Sequence, residues 1–270
     1  MRKNEPVGTK LKQTVLKDYT IVVARRGIND EGKGKKHALR RLVAEARTEY
    51  VHLMDDDVLP PAALPDTQAD MVILPLRMKS DSPHPALLER LQIAEYAALQ
   101  SITMMTAAKG RAVMCSGANL LVRRQRWMES YGDLHAEMAS GDDMFLLESF
   151  KRRGLAIEVA DRPEYEAVVR PVKGWRAFFR QRMRWAGKAA AFKDRDIRLC
   201  GMAVVVANVL QVVCPLVLAV KFPVEYKLVR KRDKDSPWWV ILLLELLYPL
   251  YMLVSLTGGI ASRQKKSASF

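Results

Sequence analysis

Three short stretches of this 270-residue chain place carboxylates and paired cations where they can do chemistry. The first is Tyr50-Val51-His52-Leu53-Met54-Asp55-Asp56-Asp57, followed by Pro60-Pro61. Its apolar half reads as a buried strand, and the prolines prevent continuation. Three adjacent acids repel one another unless a cation or hydrogen-bond donors offset them. Hard divalent cations such as Mg²⁺ take carboxylate oxygens and keep positions open for phosphate. Strand ends of this kind open onto the ligand crevice in α/β sheets. A lone Asp-x-Asp is nevertheless more often a solvated acidic turn.

The second stretch, Ser140-Gly141-Asp142-Asp143, opens a helix running to about Arg153. Ser140 and Asp143 have the spacing of a capping box, and acids suit a helix N-terminus. Asp143 also shares a helical face with Leu146, Leu147 and Phe150, which turns it toward the protein body. A partly desolvated carboxylate there can serve as a general base. The third stretch is a basic amphipathic helix from Gly174 to Phe192. Gln181, Arg184 and Trp185 stand at i, i+3 and i+4 and share one edge. An arginine beside an indole can hold a diphosphate and cover a sugar or base; arginines meeting lipid phosphates explain the same pattern.

These stretches need a scaffold. Tyr19 to Ala24 reads as a strand, Gly27 to Gly34 as a flexible connection, and Lys33 to Leu39 as the lead into a helix that ends near Arg47, before the acidic strand. That alternation favours a parallel sheet. The basic loop Lys33-Gly34-Lys35-Lys36 can cradle phosphate at a helix start, although its spacing is not that of a P-loop. Met71 to Leu76 reads as a strand and Ala86 to Ala108 as a long helix, and Leu120 to Val122 is a short run beyond. Met1 to Lys17 carries no clear element. The predicted divisions are a catalytic domain over 1–173, an interfacial helix over 174–198 and a membrane region over 199–270.

Net charge is +14 and the isoelectric point about 9.8, so anionic partners are expected. No groove-reading motif accompanies that charge, which leaves nucleic acid unsupported as a partner. Three cysteines give no disulfide framework. Leu199 to Val220 carries no charge, and Trp238 to Ile260 only Glu245; each is as long as a bilayer core requires. The intervening segment holds Lys221, Lys227, Arg230, Lys231, Arg232 and Lys234. The positive-inside rule therefore pulls both the connection and the two flanks to one side, and one segment reads as re-entrant or interfacial.

In this order the elements resemble membrane-bound glycosyltransferase family 2, relatives of cellulose, chitin and hyaluronan synthases. The motifs carrying the resemblance are the Gly-Lys loop, Asp55-Asp56-Asp57, Gly141-Asp142-Asp143 and Gln181-Arg182-Met183-Arg184-Trp185. It implies a GT-A fold, a Rossmann-like mixed α/β sheet with flanking helices, followed by the amphipathic helix and two transmembrane helices. By the same resemblance Asp57 would ligate Mg²⁺ or Mn²⁺, and Asp55 would contact the nucleotide-sugar. Asp143 would be the catalytic base, with Asp142 where relatives often carry Glu. Gln181, Arg184 and Trp185 would grip the diphosphate and border the acceptor, and Gly117 and Asn119 would lie on the acceptor side. The implied reaction is inverting transfer from a nucleotide-sugar, UDP-linked by the resemblance, to a saccharide or lipid-linked acceptor. Membrane lipid is then a further partner, and the implied location is a bacterial inner membrane, multi-pass, with the catalytic domain cytoplasmic.

The pattern departs from the family at two places. Relatives open with an additional strand and helix holding the base, so the chain reads as shortened at its start. Arg40 stands where relatives commonly carry Asn. An inactive membrane scaffold is the alternative these departures motivate.

Overall fold

A computed structural model describes residues 12–16, 19–24, 35–135, 138 and 141–267, with side chains described for 19–23 and from Lys35 to Gly259 within those ranges. The connection at 27–34 and the proposed cap at Ser140 lie outside them. The chain is a mixed α/β structure, as the sequence predicts. Strand β2 (Tyr19–Ala24) leads through helix α1 (Lys35–Glu45) to β3 (Tyr50–Asp55), and the two strands run parallel from Tyr19↔Tyr50 to Ala24↔Asp55. Val51 to Met54 are buried without alternation, because layers cover both faces of this strand. Beyond β3 stand β6 (Leu120–Arg123), β4 (Met71–Ile73) and β7 (Ile157–Val159). With β1 (Lys12–Leu16) at one edge, the sheet order is β1-β2-β3-β6-β4-β7, with β6 antiparallel to both its neighbours.

One face of the sheet is covered by Leu39, Leu42 and Val43 of α1 together with Trp127, Phe145, Leu146 and Phe150. These last four come from α3 (Arg124–Glu129) and α4 (Asp142–Arg152). Helix α2 (Leu87–Ala108) is largely buried, because it also receives the carboxyl-terminal helices. Of these, α5 (Trp175–Ala186), α6 (Arg195–Val213), α7 (Val217–Arg232) and α8 (Trp238–Ser267), it is α7 and α8 that join the core cluster on α2. Helix α6 and residues 238–259 of α8 are each long and apolar enough to cross a membrane.

Four expectations change. The stretch before Lys17 forms β1 (Lys12–Leu16), pairing antiparallel with β2, so two strands precede the acidic cluster. An edge strand is held by one partner's backbone and needs no strong apolar pattern to announce it. The run from Met71 breaks at Pro75, which has no N–H to donate to a ladder. Thus β5 (Leu76–Met78) leaves the main sheet to pair with β8 (Ala167–Val169). Helix α5 stops at Ala186 before Gly187, short of Phe192. The span read over Leu199 to Val220 is not one helix, because α6 stops at Val213, where Cys214-Pro215 interrupts it. The basic connection after it is helical as α7.

Candidate active site

The parallel β2/β3 register brings the start of α1 beside the end of β3. Lys35, the first residue of α1, donates from Nζ to Asp55 Oδ1 at 2.8 Å and stands 3.9 Å from Asp142 Oδ2. One ammonium thus joins carboxylates that lie far apart in the chain. Burial disfavours its charge, but the fields of Asp142 and Asp55 outweigh that and hold the Lys35 pKa above its ordinary value.

Gly141 caps α4 with φ +92°, a conformation that side chains disfavour. A Cβ placed there would stand 2.8 Å from Lys188 Cδ, so glycine also makes room for that lysine. Asp143 follows on the buried side. Its Oδ2 accepts from the Gly117 N–H at 3.2 Å and its Oδ1 from the Met144 N–H at 2.8 Å. Burial and the neighbouring Asp142 push the Asp143 pKa up, against Lys188 and the two N–H donors, which pull it down. The net direction is upward, as a base kept from full solvation requires.

Lys188 reaches this group from beyond the end of α5. Burial lowers its pKa, the Asp143 carboxylate opposes that, and Arg184 repels it further. Asp142, Asp143, Arg184, Lys35 and Lys188 therefore share one electrostatic neighbourhood. Helix α5 is fixed there by Arg182, a residue inside the Gln-x-x-Arg-Trp stretch but absent from its named positions. Arg182 is 2% exposed and pairs with Glu95 of α2, itself 5% exposed. Its guanidinium lies 4.3 Å from the Trp185 ring centre and donates to Gln181 Oε1 at 3.2 Å. Tyr251 of α8 donates to the second Glu95 oxygen at 2.8 Å. Gln181 and Trp185 are thus oriented from beneath by one buried cation, while Arg184 is left exposed.

The structure brings Asp55, Asp142, Asp143 and Gly117 into one cluster and sets Arg184 of α5 in the same electrostatic neighbourhood. Asn119 is placed differently. It is 1% exposed, its Oδ1 accepts from His52 Nε2 at 2.8 Å, and its amide donates to Pro75 O at 2.7 Å and Tyr165 O at 3.0 Å. That side chain ties β3 to the segment between β4 and β5 and to the 165 turn, and it offers no amide to a saccharide. Asp56 and Asp57 occupy an exposed turn closed by Val58 N–H to Asp55 O at 3.3 Å. Among the described residues no three His, Cys, Asp or Glu side chains gather as a metal cage. The donor set fits a divalent ion only as Mg²⁺ sites in nucleotide enzymes do, with one or two carboxylates and substrate phosphate completing the shell.

Residues 12–188 match the family model described as Glycosyltransferase like family 2. The chain belongs to glycosyltransferase family 2. No curated protein matches this glycosyltransferase significantly. The matched span starts at β1 and ends at Lys188, so it contains every element that builds the acidic cluster. Two functional candidates of this glycosyltransferase escaped sequence reasoning, Lys188 and the Arg182–Glu95 pair. For Lys188 the only available signal was its place one turn beyond Arg184. For Glu95 it was a charge in the apolar face of a long helix, which calls for a partner.

Proposed function

We propose that this glycosyltransferase inverts the anomeric centre of a nucleotide-linked sugar, UDP-linked in our reading, as it transfers that sugar to a saccharide or lipid-linked hydroxyl at a membrane surface. The observation carrying this reading is the convergence on Asp143: a half-buried carboxylate held by two backbone N–H groups, raised in pKa, with Lys35 and Lys188 beside it. Asp143 accepts the proton of the acceptor hydroxyl. The acceptor oxygen forms its bond to the anomeric carbon while the bond to the diphosphate oxygen breaks, and the diphosphate leaves with that electron pair. Arg184, Lys188 and Lys35 stabilise the growing negative charge at positions fixed before reaction. Asp55, already engaged by Lys35, orients that lysine and borders the donor. Gln181 and Trp185, set by Arg182, border the acceptor. A divalent ion, Mg²⁺ or Mn²⁺, would be held by Asp57 together with donor phosphate and would neutralise the leaving group. One base and one displacement give inversion, and no second carboxylate is needed as nucleophile.

Asp143→Asn is the decisive variant. Transfer is expected to fall by about 10²–10⁴-fold while the protein still binds UDP and Mn²⁺, read by radiolabelled transfer beside calorimetric titration. Full activity in that variant removes Asp143 from its role. Failure of the unmodified protein to bind UDP with Mn²⁺ would favour a scaffold over an enzyme.

A further inference from the structure

The exposed large hydrophobic side chains concentrate on α6, α7 and α8, and they are most exposed around the α6–α7 junction. Val212 is 68% exposed, Val213 77%, Leu216 79% and Val220 70%. The polar residues of the same helices turn the other way. Asn208 and Gln211 of α6 are buried, and both accept from Lys221 Nζ of α7, at 3.0 and 2.6 Å. Lys221 also stands 2.9 Å from Glu245 of α8, and the Gln211 amide donates to Glu245 O at 2.9 Å. A surface with water as its partner would place these groups outward. Inward pairing beneath an apolar exterior is the arrangement that hydrocarbon demands.

The same contacts fix how the chain runs. Asn208 and Lys221 are 13 positions apart. A straight helix would separate them by roughly 20 Å along its axis. A 3.0 Å hydrogen bond between them requires the chain to reverse at Cys214-Pro215. Both ends of the resulting hairpin are tied to the catalytic domain. At the α6 end, Lys151 pairs with Asp194 at 2.6 Å and Asp196 at 3.1 Å, and Arg111 pairs with Asp196 at 2.5 Å. At the α7 end, Arg232 pairs with Asp161 at 2.5 Å, Ser101 donates to Leu228 O at 2.6 Å, and Val229 is buried against α2. That end also carries Lys227, Arg230, Lys231 and Arg232, charges that complement anionic headgroups on the catalytic side.

We propose that α6 and α7 form a re-entrant hairpin that dips into a lipid bilayer tip-first and leaves by the same face. Residues 212–216 then lie deepest in hydrocarbon, and the turn at 233–237 stays on the side of the catalytic domain. The basic segment that conflicts with two simple crossings thereby satisfies the positive-inside rule. This inference rests on the membrane location proposed above.

Single-thiol forms of the full chain, expressed in cells, test it. Background substitutions Cys115→Ala and Cys200→Ala leave native Cys214 as the tip reporter. With Cys214→Ala added, Asp235→Cys reports the turn and Arg162→Cys the catalytic domain. Right-side-out and inverted membrane vesicles are treated with a membrane-impermeant maleimide before and after detergent. The expected result is labelling of Asp235→Cys and Arg162→Cys from one common face, with Cys214 labelled only after detergent. Labelling of Asp235→Cys from the face opposite Arg162→Cys would mean that α6 crosses once, and overturns the proposal. So does reaction of Cys214 from either face while the protein stays bound. Release of the protein by an alkaline carbonate wash, with Cys214 then open to the reagent, defeats the membrane reading itself and is thereby distinguishable.

Discussion

At the residue scale, Asp143 is set by opposing neighbours, and this makes its titration separable by mutation. Burial and Asp142 raise its pKa, whereas Lys188 lowers it. A base must be deprotonated to act, so the acid limb of kcat/KM is expected above the ordinary aspartate value of about 3.9. Asp142→Asn removes a repelling charge and is expected to move that limb to lower pH. Lys188→Met removes an attracting charge and is expected to move it to higher pH. A pH series of kcat/KM for the three proteins checks both signs, and two shifts in the same direction would show that Asp143 does not govern the limb. His52 offers a stability counterpart. Burial lowers its pKa to about 4 from 6.5, against the opposing hydrogen bond that it donates to Asn119. The folded state therefore takes up this proton less readily than the unfolded chain. Stability from this group is intact above about pH 6.5 and declines as pH falls toward 4, by about 3 kcal/mol in total. Denaturant unfolding between pH 4 and 7 measures that slope, which His52→Gln is expected to reduce.

At the element scale, the site depends on how α5 is held. Arg182 and Glu95 are both buried, and removing one partner strands the other charge in a low-dielectric interior. Glu95→Gln is expected to cost about 3–5 kcal/mol of stability. Because Gln181 and Trp185 are oriented through Arg182, it is also expected to raise KM for the acceptor more than it lowers kcat. Thermal unfolding and steady-state kinetics check the two effects separately, and an unchanged KM would make the pair a matter of stability alone. These contacts mark the boundary of what was legible beforehand. The β2-α1-β3 unit, the strand end at Asp55 and the helix opened by Asp142 are written in local patterns of apolar residues, Gly and Pro. The edge strand β1, the break at Pro75 and the buried work of Asn119 are not. Each depends on which distant backbone arrives beside it, as when Asn119 meets His52, Pro75 and Tyr165 from three separate elements. Gly-x-Asn was therefore readable as an acceptor-side segment by resemblance, while the direction of its amide was not.

At the scale of the molecule, the apolar helices and the catalytic domain share one buried polar chain. Arg182 of α5 pairs with Glu95 of α2, and Tyr251 of α8 donates to the same carboxylate. Further along α8, Gly258 and Gly259 lie against Met183 of α5 and against Gly187, which caps that helix. A Cβ on Gly259 would stand 2.7 Å from Gly187 N and 2.8 Å from Met183 O, and both are backbone atoms that cannot rotate away. Close approach of two helices is what glycine permits here, and it brings α8 onto the helix that presents Arg184 and Trp185. Gly259→Ala is then expected to force the helices apart at a cost of about 1–3 kcal/mol. The contact includes no residue of the sheet, whereas Lys188 beside Gly187 reaches the cap of α4, so sugar transfer should fall more than UDP binding with Mn²⁺. Limited proteolysis should cut first near Gly187, where α5 loses its neighbour. If transfer is unaffected while the α5–α8 contact is measurably loosened, α8 serves only as an anchor. If transfer falls with donor binding intact, the apolar helix is part of how the acceptor edge is held.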